Sequence, residues 1–225
     1  MEKALHKIDA KKSLGQHFLN NTHVPKAMAD AGSVTAADTL LEIGPGTGVL
    51  TRELLKRGAR VIAIEADARA IIALEETFSD EIMAKNLIIV HGDVRTIDLE
   101  KLGIYDQQFK IVANIPYYLS GMLFRLFLES AIQPTDIVFL VQREVAERIA
   151  RDKKSSLLSL SIEAYGKARY VQTVKRGNFT PPPKIDSAII AISAISKQRF
   201  TKISEKFFFA LLHEGFKSKR KQLLG

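Results

Sequence analysis

The sequence predicts an α/β fold with a mostly parallel sheet, and three observations lead to this prediction. Short apolar runs alternate with amphipathic helical patterns over most of the chain, which is typical of consecutive βαβ units. A glycine-rich turn at 42–48 follows one such run and opens a helical pattern. Two later apolar runs, 168–174 and 187–195, have no helix between them and are expected to pair as a hairpin.

The predicted elements follow this alternation in chain order. Strands are predicted at 39–43, 60–65, 87–91, 109–113, 136–141, 168–174 and 187–195. Helices are predicted at 24–31, 48–57, 68–78, 120–130, 143–151 and 155–165. The turn at 178–184, before the last strand, contains three prolines, whose fixed φ angles stiffen it.

The last part of the chain has a different pattern, helical and basic from residue 197 onward. We expect one domain over 1–196 with a basic N-terminal arm, followed at 197–225 by the start of a basic helical region that is incomplete. An incomplete region would leave an apolar face at Phe207, Phe208 and Leu211 partly exposed.

Composition excludes several classes of protein. A chain of 225 residues with 46% hydrophobic and 26% charged residues is typical of a soluble globular protein. No apolar run approaches the ~18 residues that suggest a membrane span, and residues 1–12 lack the apolar stretch of a secretory signal. Cysteine is absent, which excludes disulfides and cysteine-ligated metals. We therefore expect a cytoplasmic protein with no membrane and no metal partner.

The positive charge is concentrated at the two ends of the chain. Residues 1–26 hold five basic and two acidic residues, and residues 197–225 hold eight and two. Because the whole chain carries +8, the middle carries −1. This distribution favours a polyanionic partner whose phosphates contact both ends. The alternative is that basic termini merely keep the protein in solution.

The glycine turn is expected to hold a nucleoside cofactor. Gly44 and Gly46 can adopt φ angles closed to other residues and let the backbone approach a ligand closely. Pro45 interrupts the dinucleotide fingerprint, and the helix entrance is tighter than a pyrophosphate requires. These features favour S-adenosylmethionine over NAD.

Two carboxylates at predicted strand ends support this interpretation. Glu65 lies seventeen residues past Gly48, where a carboxylate can accept hydrogen bonds from both ribose hydroxyls. Asp93 ends the next strand and can accept from an adenine amine. The alternative for Glu65 is a surface salt bridge, which a strand-end position in an α/β sheet disfavours.

The Asn-Ile-Pro-Tyr corner at 114–117 offers two oxygen acceptors and an aromatic face. A base with an exocyclic amine presents the matching surfaces. Asn114 can accept one amine hydrogen through its side-chain oxygen, and the Ile115 or Pro116 carbonyl can accept the other. Tyr117 can stack on the ring, with Phe179 as a second aromatic face. The alternative for Phe179 is a packing anchor ahead of the prolines.

Four stretches, taken together, resemble one family. They are Leu-Gly-Gln-His-Phe-Leu at 14–19, Glu-Ile-Gly-Pro-Gly at 42–46, Asn-Ile-Pro-Tyr at 114–117 and Phe-Thr-Pro-Pro-Pro-Lys-Ile-Asp-Ser at 179–187. In these, the chain resembles the ribosomal RNA adenine N6,N6-dimethyltransferases from about residue 12 to residue 221. The macrolide-resistance methyltransferases, which modify large-subunit RNA, share much of this set. The full glycine turn and the triple proline are closer to the small-subunit branch.

The resemblance implies a fold and an activity. The fold is that of class I S-adenosylmethionine-dependent methyltransferases: Rossmann-like, with a mostly parallel seven-stranded sheet and a terminal antiparallel hairpin, followed here by a truncated helical segment. The activity is methyl transfer to N6 of two adjacent adenines in small-subunit ribosomal RNA, by a monomer, during ribosome maturation. Three alternatives stay open: a large-subunit RNA methyltransferase, a non-catalytic ribosome assembly factor, and a small-molecule methyltransferase.

The resemblance also assigns site residues. His17 matches a family position that lies beside the cofactor and often holds Asn, and an imidazole can still donate a hydrogen bond. Leu19 is carried over with it, and Tyr118 is expected in the core. The complete cofactor-binding prediction is His17, Leu19, Gly44, Gly46, Glu65, Asp93 and Asn114. The catalytic prediction is Asn114, Pro116, Tyr117 and Phe179.

Overall fold

The computed structural model describes residues 8–11, 14–152 and 154–217. Its strands are β1 (Phe18–Leu19), β2 (Thr39–Ile43), β3 (Arg60–Glu65), β4 (Leu87–His91), β5 (Lys110–Asn114), β6 (Asp136–Gln142), β7 (Lys167–Val174), β8 (Phe179–Thr180) and β9 (Ser187–Ser193). Its helices are α1 (His23–Ala31), α2 (Val49–Lys56), α3 (Ala68–Thr77), α4 (Ser79–Met83), α5 (Ser120–Glu129), α6 (Arg143–Ala150), α7 (Leu157–Tyr165) and α8 (Glu205–Lys217).

Seven strands form one sheet in the order β4-β3-β2-β5-β6-β9-β7. The first five are parallel to one another, and β9 is antiparallel to both of its neighbours, β6 and β7. Six consecutive residues of β9, 187–192, are buried, as expected for a strand covered on both faces. The predicted mostly parallel sheet with a terminal hairpin is therefore confirmed.

Helices cover both faces of the sheet because the strand side chains alternate between two cores. Ile62 of β3 belongs to the same core as Phe124 of α5, whereas Val61 belongs to the other core, with Met28 of α1. This is the two-residue period of a strand that is buried on both sides. The loops at the carboxyl ends of the parallel strands remain outside these cores, at one edge of the sheet.

A second, two-stranded sheet was not predicted. β1 pairs antiparallel with β8, so Phe18 faces Thr180 and Leu19 faces Phe179. Strands of two residues are too short to show an alternating pattern, and these two lie about 160 residues apart. The pairing brings the beginning of the described chain next to the proline-rich turn.

The last described helix packs on the sheet domain through aromatic side chains. Phe209 stacks on Tyr165 with ring centroids 5.7 Å apart, and Phe208 contacts Phe200 edge-on at 5.6 Å. Phe207 and Leu211 are 64% and 57% exposed, and Phe208 is partly buried against the core, so the face is partly exposed as predicted.

The predicted basic N-terminal arm and the predicted basic C-terminal region are only partly covered by the described residues. Residues 218–225 of the predicted basic region and residues 1–7, 12 and 13 of the predicted N-terminal arm lie outside the described residues. No helix in the described ranges is long and apolar enough to cross a membrane.

Candidate active site

A cavity of about 220 Å³ opens at the carboxyl ends of β2, β3, β4 and β5. It is lined by residues of the 14–18 segment, the glycine turn, the loops after β3 and β4, and the corner after β5. Eight of the predicted site residues line it: His17, Gly44, Gly46, Glu65, Asp93, Asn114, Pro116 and Tyr117. Residues from five separate parts of the sequence are thus brought together.

The glycine turn has the backbone conformation that glycine favours. Gly44 and Gly46 have φ angles of +65° and +57°, and Gly48, at +81°, precedes α2. A Cβ at Gly44 would have no atom within 4 Å, so this part of the turn is open, whereas a Cβ at Gly46 would lie 2.7 Å from Phe18 Cε1. The open backbone at Gly44 leaves room for a ligand to approach the turn closely.

The Glu65 carboxylate accepts hydrogen bonds from the glycine turn and from its own loop. Its side chain is buried, and its carboxylate accepts hydrogen bonds from the backbone N–H of Gly46 at 3.0 Å and of Ala66 and Asp67, both at 2.8 Å. Such a carboxylate is not the surface salt bridge that the sequence left open. A carboxylate has about four acceptor sites, so three backbone donors do not exhaust it.

Asp93 lies at the rim of the cavity and is paired with Arg95. The Arg95 Nε donates to both carboxylate oxygens at 2.9 Å, and its Nη2 also donates to Oδ2. This pairing holds the pKa of Asp93 below its usual value, so the carboxylate is ionised. It is the second acceptor that the sequence predicted for a nucleoside.

The Asn114 amide has a defined orientation. Its Nδ2 donates to the backbone carbonyl of His17 at 3.1 Å. A carbonyl oxygen can only accept a hydrogen bond, so the NH₂ group of the Asn114 side chain must face the His17 carbonyl. The Oδ1 end is thereby left as an acceptor in a residue that lines the cavity.

Tyr117 is fixed by contacts at its hydroxyl and its ring. The hydroxyl lies 2.6 Å from Ser187 Oγ, and the ring stacks with that of His17 at a centroid distance of 5.8 Å. His17 Nδ1 lies 2.8 Å from the Pro181 carbonyl and must donate to it. Burial raises the pKa of Tyr117, so the phenol remains neutral.

Leu19 and Phe179 do not line the cavity. Their side chains are only 6% and 2% exposed and lie in the core that contains Met28 and Val174. The reason is the pairing of β1 with β8, which places the two residues opposite each other and fixes them in that core. The burial of Phe179 agrees with the packing anchor that the sequence left open, and the binding roles of both residues stay predictions.

The prediction that Tyr118 belongs to the core was wrong. Its side chain is 66% exposed and lines the cavity. Tyr117–Leu119 form a 3₁₀ turn, in which consecutive side chains point about 120° apart. An aromatic pair directly after the Asn-Ile-Pro corner therefore has one ring inside and one outside, and this signal was available in the sequence.

Glu42, on β2 behind the glycine turn, was also missed. It is 1% exposed, and its Oε2 has no hydrogen-bond partner within the described ranges. Burial raises its pKa to about 8, with the nearby Glu65 carboxylate adding to the effect. Glu42 is therefore a neutral acid at pH 7.

The chain is similar to several known proteins. The ribosomal RNA small subunit methyltransferase A of Dehalococcoides mccartyi is 41% identical over 218 residues, which cover 96% of this chain and 74% of the relative. A dimethyladenosine transferase structure from Plasmodium falciparum has a TM-score of 0.78 at 29% identity, with 92% of this chain and 73% of that one covered. The 23S rRNA methyltransferase ErmE has a TM-score of 0.74 at 25% identity, with 89% and 80% covered.

These likenesses confirm the predicted fold class, a class I methyltransferase with a seven-stranded sheet. They also confirm the predicted enzyme class. The sequence model described as ribosomal RNA adenine dimethylase matches residues 7–225. A match over that much of the chain means that the protein belongs to the ribosomal RNA adenine dimethylase family.

Proposed function

We propose that this protein transfers methyl groups from S-adenosylmethionine to N6 of two adjacent adenines in small-subunit ribosomal RNA, as a step in ribosome maturation. The orientation of the Asn114 amide carries the proposal. Its Nδ2 donates to the His17 carbonyl, which leaves Oδ1 as an acceptor on a residue that lines the cavity, and an acceptor is what an adenine amine requires.

Adenine N6 is a poor nucleophile because its lone pair is delocalised into the ring. Asn114 Oδ1 would accept one N6 hydrogen, and a backbone carbonyl would accept the other. The Pro116 carbonyl already accepts from Leu119 N–H at 2.9 Å, so we assign the second role to the Ile115 carbonyl, whose residue also lines the cavity. Two acceptors favour a pyramidal nitrogen with a localised lone pair.

Tyr117 would hold the ring of the flipped adenine. The hydroxyl contact with Ser187 and the stack on His17 fix its ring before the substrate arrives. A base stacked on an aromatic side chain gains about 1–3 kcal/mol, which offsets much of the few kcal/mol needed to flip it out of a stack. No strong base is required, because the N6 proton can leave to water once the nitrogen is alkylated.

The cofactor assignment rests on the glycine turn and the two carboxylates. The open backbone at Gly44, the buried Glu65 and the ionised Asp93 form the donor and acceptor set that suits a nucleoside without phosphates. Glu65 is assigned to the ribose hydroxyls and Asp93 to the adenine amine. When bound, S-adenosylmethionine supplies an electrophilic methyl group on its sulfonium.

The choice of the small subunit rests on the relatives. The curated relative that is 41% identical is named as a small-subunit enzyme, whereas the 23S rRNA methyltransferase structure is 25% identical. A large-subunit target is the second candidate. We further propose that residues 1–196 form the methyltransferase domain, that residues 197–225 belong to a basic RNA-binding region, and that the protein acts as a cytoplasmic monomer.

The test is transfer of a radiolabelled methyl group. The protein is incubated with labelled S-adenosylmethionine and either unmodified small subunits or unmodified large subunits, and the modified nucleotides are mapped. We expect label as N6,N6-dimethyladenine at adjacent positions in small subunits. Label in large-subunit RNA alone would select the second candidate. The absence of label from both, with folded protein that binds the cofactor, would favour a non-catalytic assembly factor.

A further inference from the structure

Tyr118 is the one cavity-lining aromatic side chain, within the described part of the chain, that is mostly exposed. Its side chain is 66% exposed, whereas Phe18 and Tyr117 are half-buried. The function proposed above makes no use of this ring. An aromatic face at the entrance to a site for a flipped base is suited to contact with RNA, because every base has a π-face.

The turn that contains Tyr118 prevents it from sharing a base with Tyr117. In a 3₁₀ turn the side chains of consecutive residues point about 120° apart. Tyr117 is fixed toward Ser187, while the Tyr118 ring lies over Gly15, 3.2 Å from the place where a Cβ would be. The two rings therefore offer separate surfaces, one inside the cavity and one at its entrance.

Gly15 is what allows this placement. Its φ is +61°, and a side chain there would have to displace the Tyr118 ring or be displaced by it. The ring is consequently supported on one side by backbone and exposed on the other. A supported, exposed ring loses little conformational freedom when a base stacks on it.

Positive charge lies beside the same entrance. Arg95 lines the same cavity as Tyr118, and its side chain is 58% exposed. The pair with Asp93 uses Nε and Nη2, and an arginine has five donors, so further donors can reach a phosphate. An exposed ring and an exposed guanidinium that line the same cavity are suited to a base and its phosphate.

We propose that Tyr118 is the stacking platform for the nucleotide next to the flipped adenine, and that Arg95 binds the phosphate between the two. The inference rests on the proposed function, because it takes an adenine in the cavity as its starting point. It adds a contact outside the cavity that would hold the neighbour while the target base is methylated.

Steady-state methylation of small ribosomal subunits tests the proposal. Tyr118→Ala is compared with Tyr118→Phe, which keeps the ring, and with Tyr105→Ala. Tyr105 is 51% exposed and lies before the amino end of β5, at the edge of the sheet opposite the cavity. We expect Tyr118→Ala to raise KM for subunits by about 5- to 100-fold, with kcat within about twofold of wild type. Tyr118→Phe and Tyr105→Ala should both behave as wild type.

Three results would overturn the proposal: an unchanged KM in Tyr118→Ala, an equal loss in Tyr118→Phe, or a matching loss of affinity for S-adenosylhomocysteine. The last result would place the ring on the cofactor instead of the RNA. Binding of the isolated cofactor product therefore has to be measured for each variant.

A fluorescence measurement separates this inference from the proposed function. A single-stranded RNA with two adjacent adenines carries 2-aminopurine next to them, and wild type should quench it by stacking, whereas Tyr118→Ala should not. If wild type methylates small subunits but Tyr118→Ala quenches equally well, only the Tyr118 inference fails. If wild type methylates no RNA, the proposed function fails, and the quenching still decides whether Tyr118 stacks.

Discussion

The two sides of the cavity are built in different ways. On the side of the glycine turn, the contacts are short in sequence, since the Glu65 carboxylate binds Ala66 and Asp67 next to it and Gly46 nineteen residues before it. On the side of the Asn-Ile-Pro-Tyr corner, the contacts are long. Asn114 reaches His17 over 97 residues, and His17 reaches Pro181 over 164.

This difference indicates which part of the chain determines cofactor binding and which determines the rate of methyl transfer. The proposed cofactor side is formed by the βα turns after three neighbouring strands, β2, β3 and β4, the last of which is followed by Asp93. The proposed base side exists only after three remote segments have met. We therefore expect changes on the cofactor side to act mainly on cofactor affinity and stability, and changes on the base side to act mainly on the rate of methyl transfer.

The largest expected effect lies on the base side. Asn114→Ala removes the oriented acceptor, and we expect kcat for methyl transfer to fall by about 100- to 1000-fold while RNA affinity stays within about twofold. Asn86→Ala is the matched control, because Asn86 is exposed and precedes β4 at the opposite edge of the sheet. A parallel loss of RNA binding would assign Asn114 to binding instead of catalysis.

The two glycines allow a sharper test of the cofactor side. Gly44 and Gly46 both have positive φ, so alanine at either costs about 1–2 kcal/mol of strain. Only at Gly46 does the new Cβ also meet Phe18, which adds about 1–3 kcal/mol of overpacking. We expect denaturant unfolding to show Gly46→Ala as the less stable variant. Equal losses would mean that Phe18 moves aside freely.

Glu42, on the cofactor side, is expected to make the stability of the protein depend on pH. Its folded-state pKa of about 8 lies above the usual value of 4.5, so the folded protein keeps a proton that the unfolded chain releases. Stability from this group is therefore present at low pH and lost as pH rises from about 4.5 to 8. Glutamine does not titrate, so the variant should not show this loss. We expect the free energy of unfolding of Glu42→Gln, relative to wild type, to increase by about 2–3 kcal/mol as the pH is raised from 5 to 7.5.

The measurement for Glu42 is urea unfolding at several pH values. Glu100→Gln serves as the control, since Glu100 is exposed in a short turn after β4. A constant difference between Glu42→Gln and wild type across the pH range would show that Glu42 is ionised in the folded protein.

The smallest expected effect tests the hydroxyl contact on the base side. Tyr117→Phe and Ser187→Ala each remove the same 2.6 Å hydrogen bond, and each should lower kcat by about 5-fold, the equivalent of about 1 kcal/mol. Because both remove one contact, the double variant should lose no more than either single variant. Additive losses in this double-mutant cycle would separate the roles of the two residues.

The sequence predicted the parts of the molecule that have a local signal. The strand boundaries at Thr39–Ile43, Arg60–Glu65 and Leu87–His91 agree with the prediction, because each is a buried run flanked by turn residues. The glycine turn was also predicted from a local signal, because glycines at fixed spacing follow a strand and precede a helix. The resemblance to a known family supplied the substrate.

What could not be predicted depends on contacts between remote segments. Phe179 was expected to face a base, but its partner across the small sheet, Leu19, fixes it in the core. Neither of the two-residue strands, β1 or β8, has a sequence pattern that predicts their pairing. The error for Tyr118 is of a different kind, because it is local: tyrosine pairs often lie in the core, but the 3₁₀ turn of Tyr117–Leu119 places Tyr118 at the entrance.

The contact between His17 and Pro181 has a consequence for protein synthesis. A ribosome making this chain releases the glycine turn early, and that part can fold while translation continues. The amide of Asn114 acquires its orienting neighbour as soon as it is made, but the imidazole of His17 finds its own acceptor only when position 181 has emerged. The proposed base side of the cavity is therefore completed later in synthesis than the glycine turn, because His17 needs the carbonyl of Pro181.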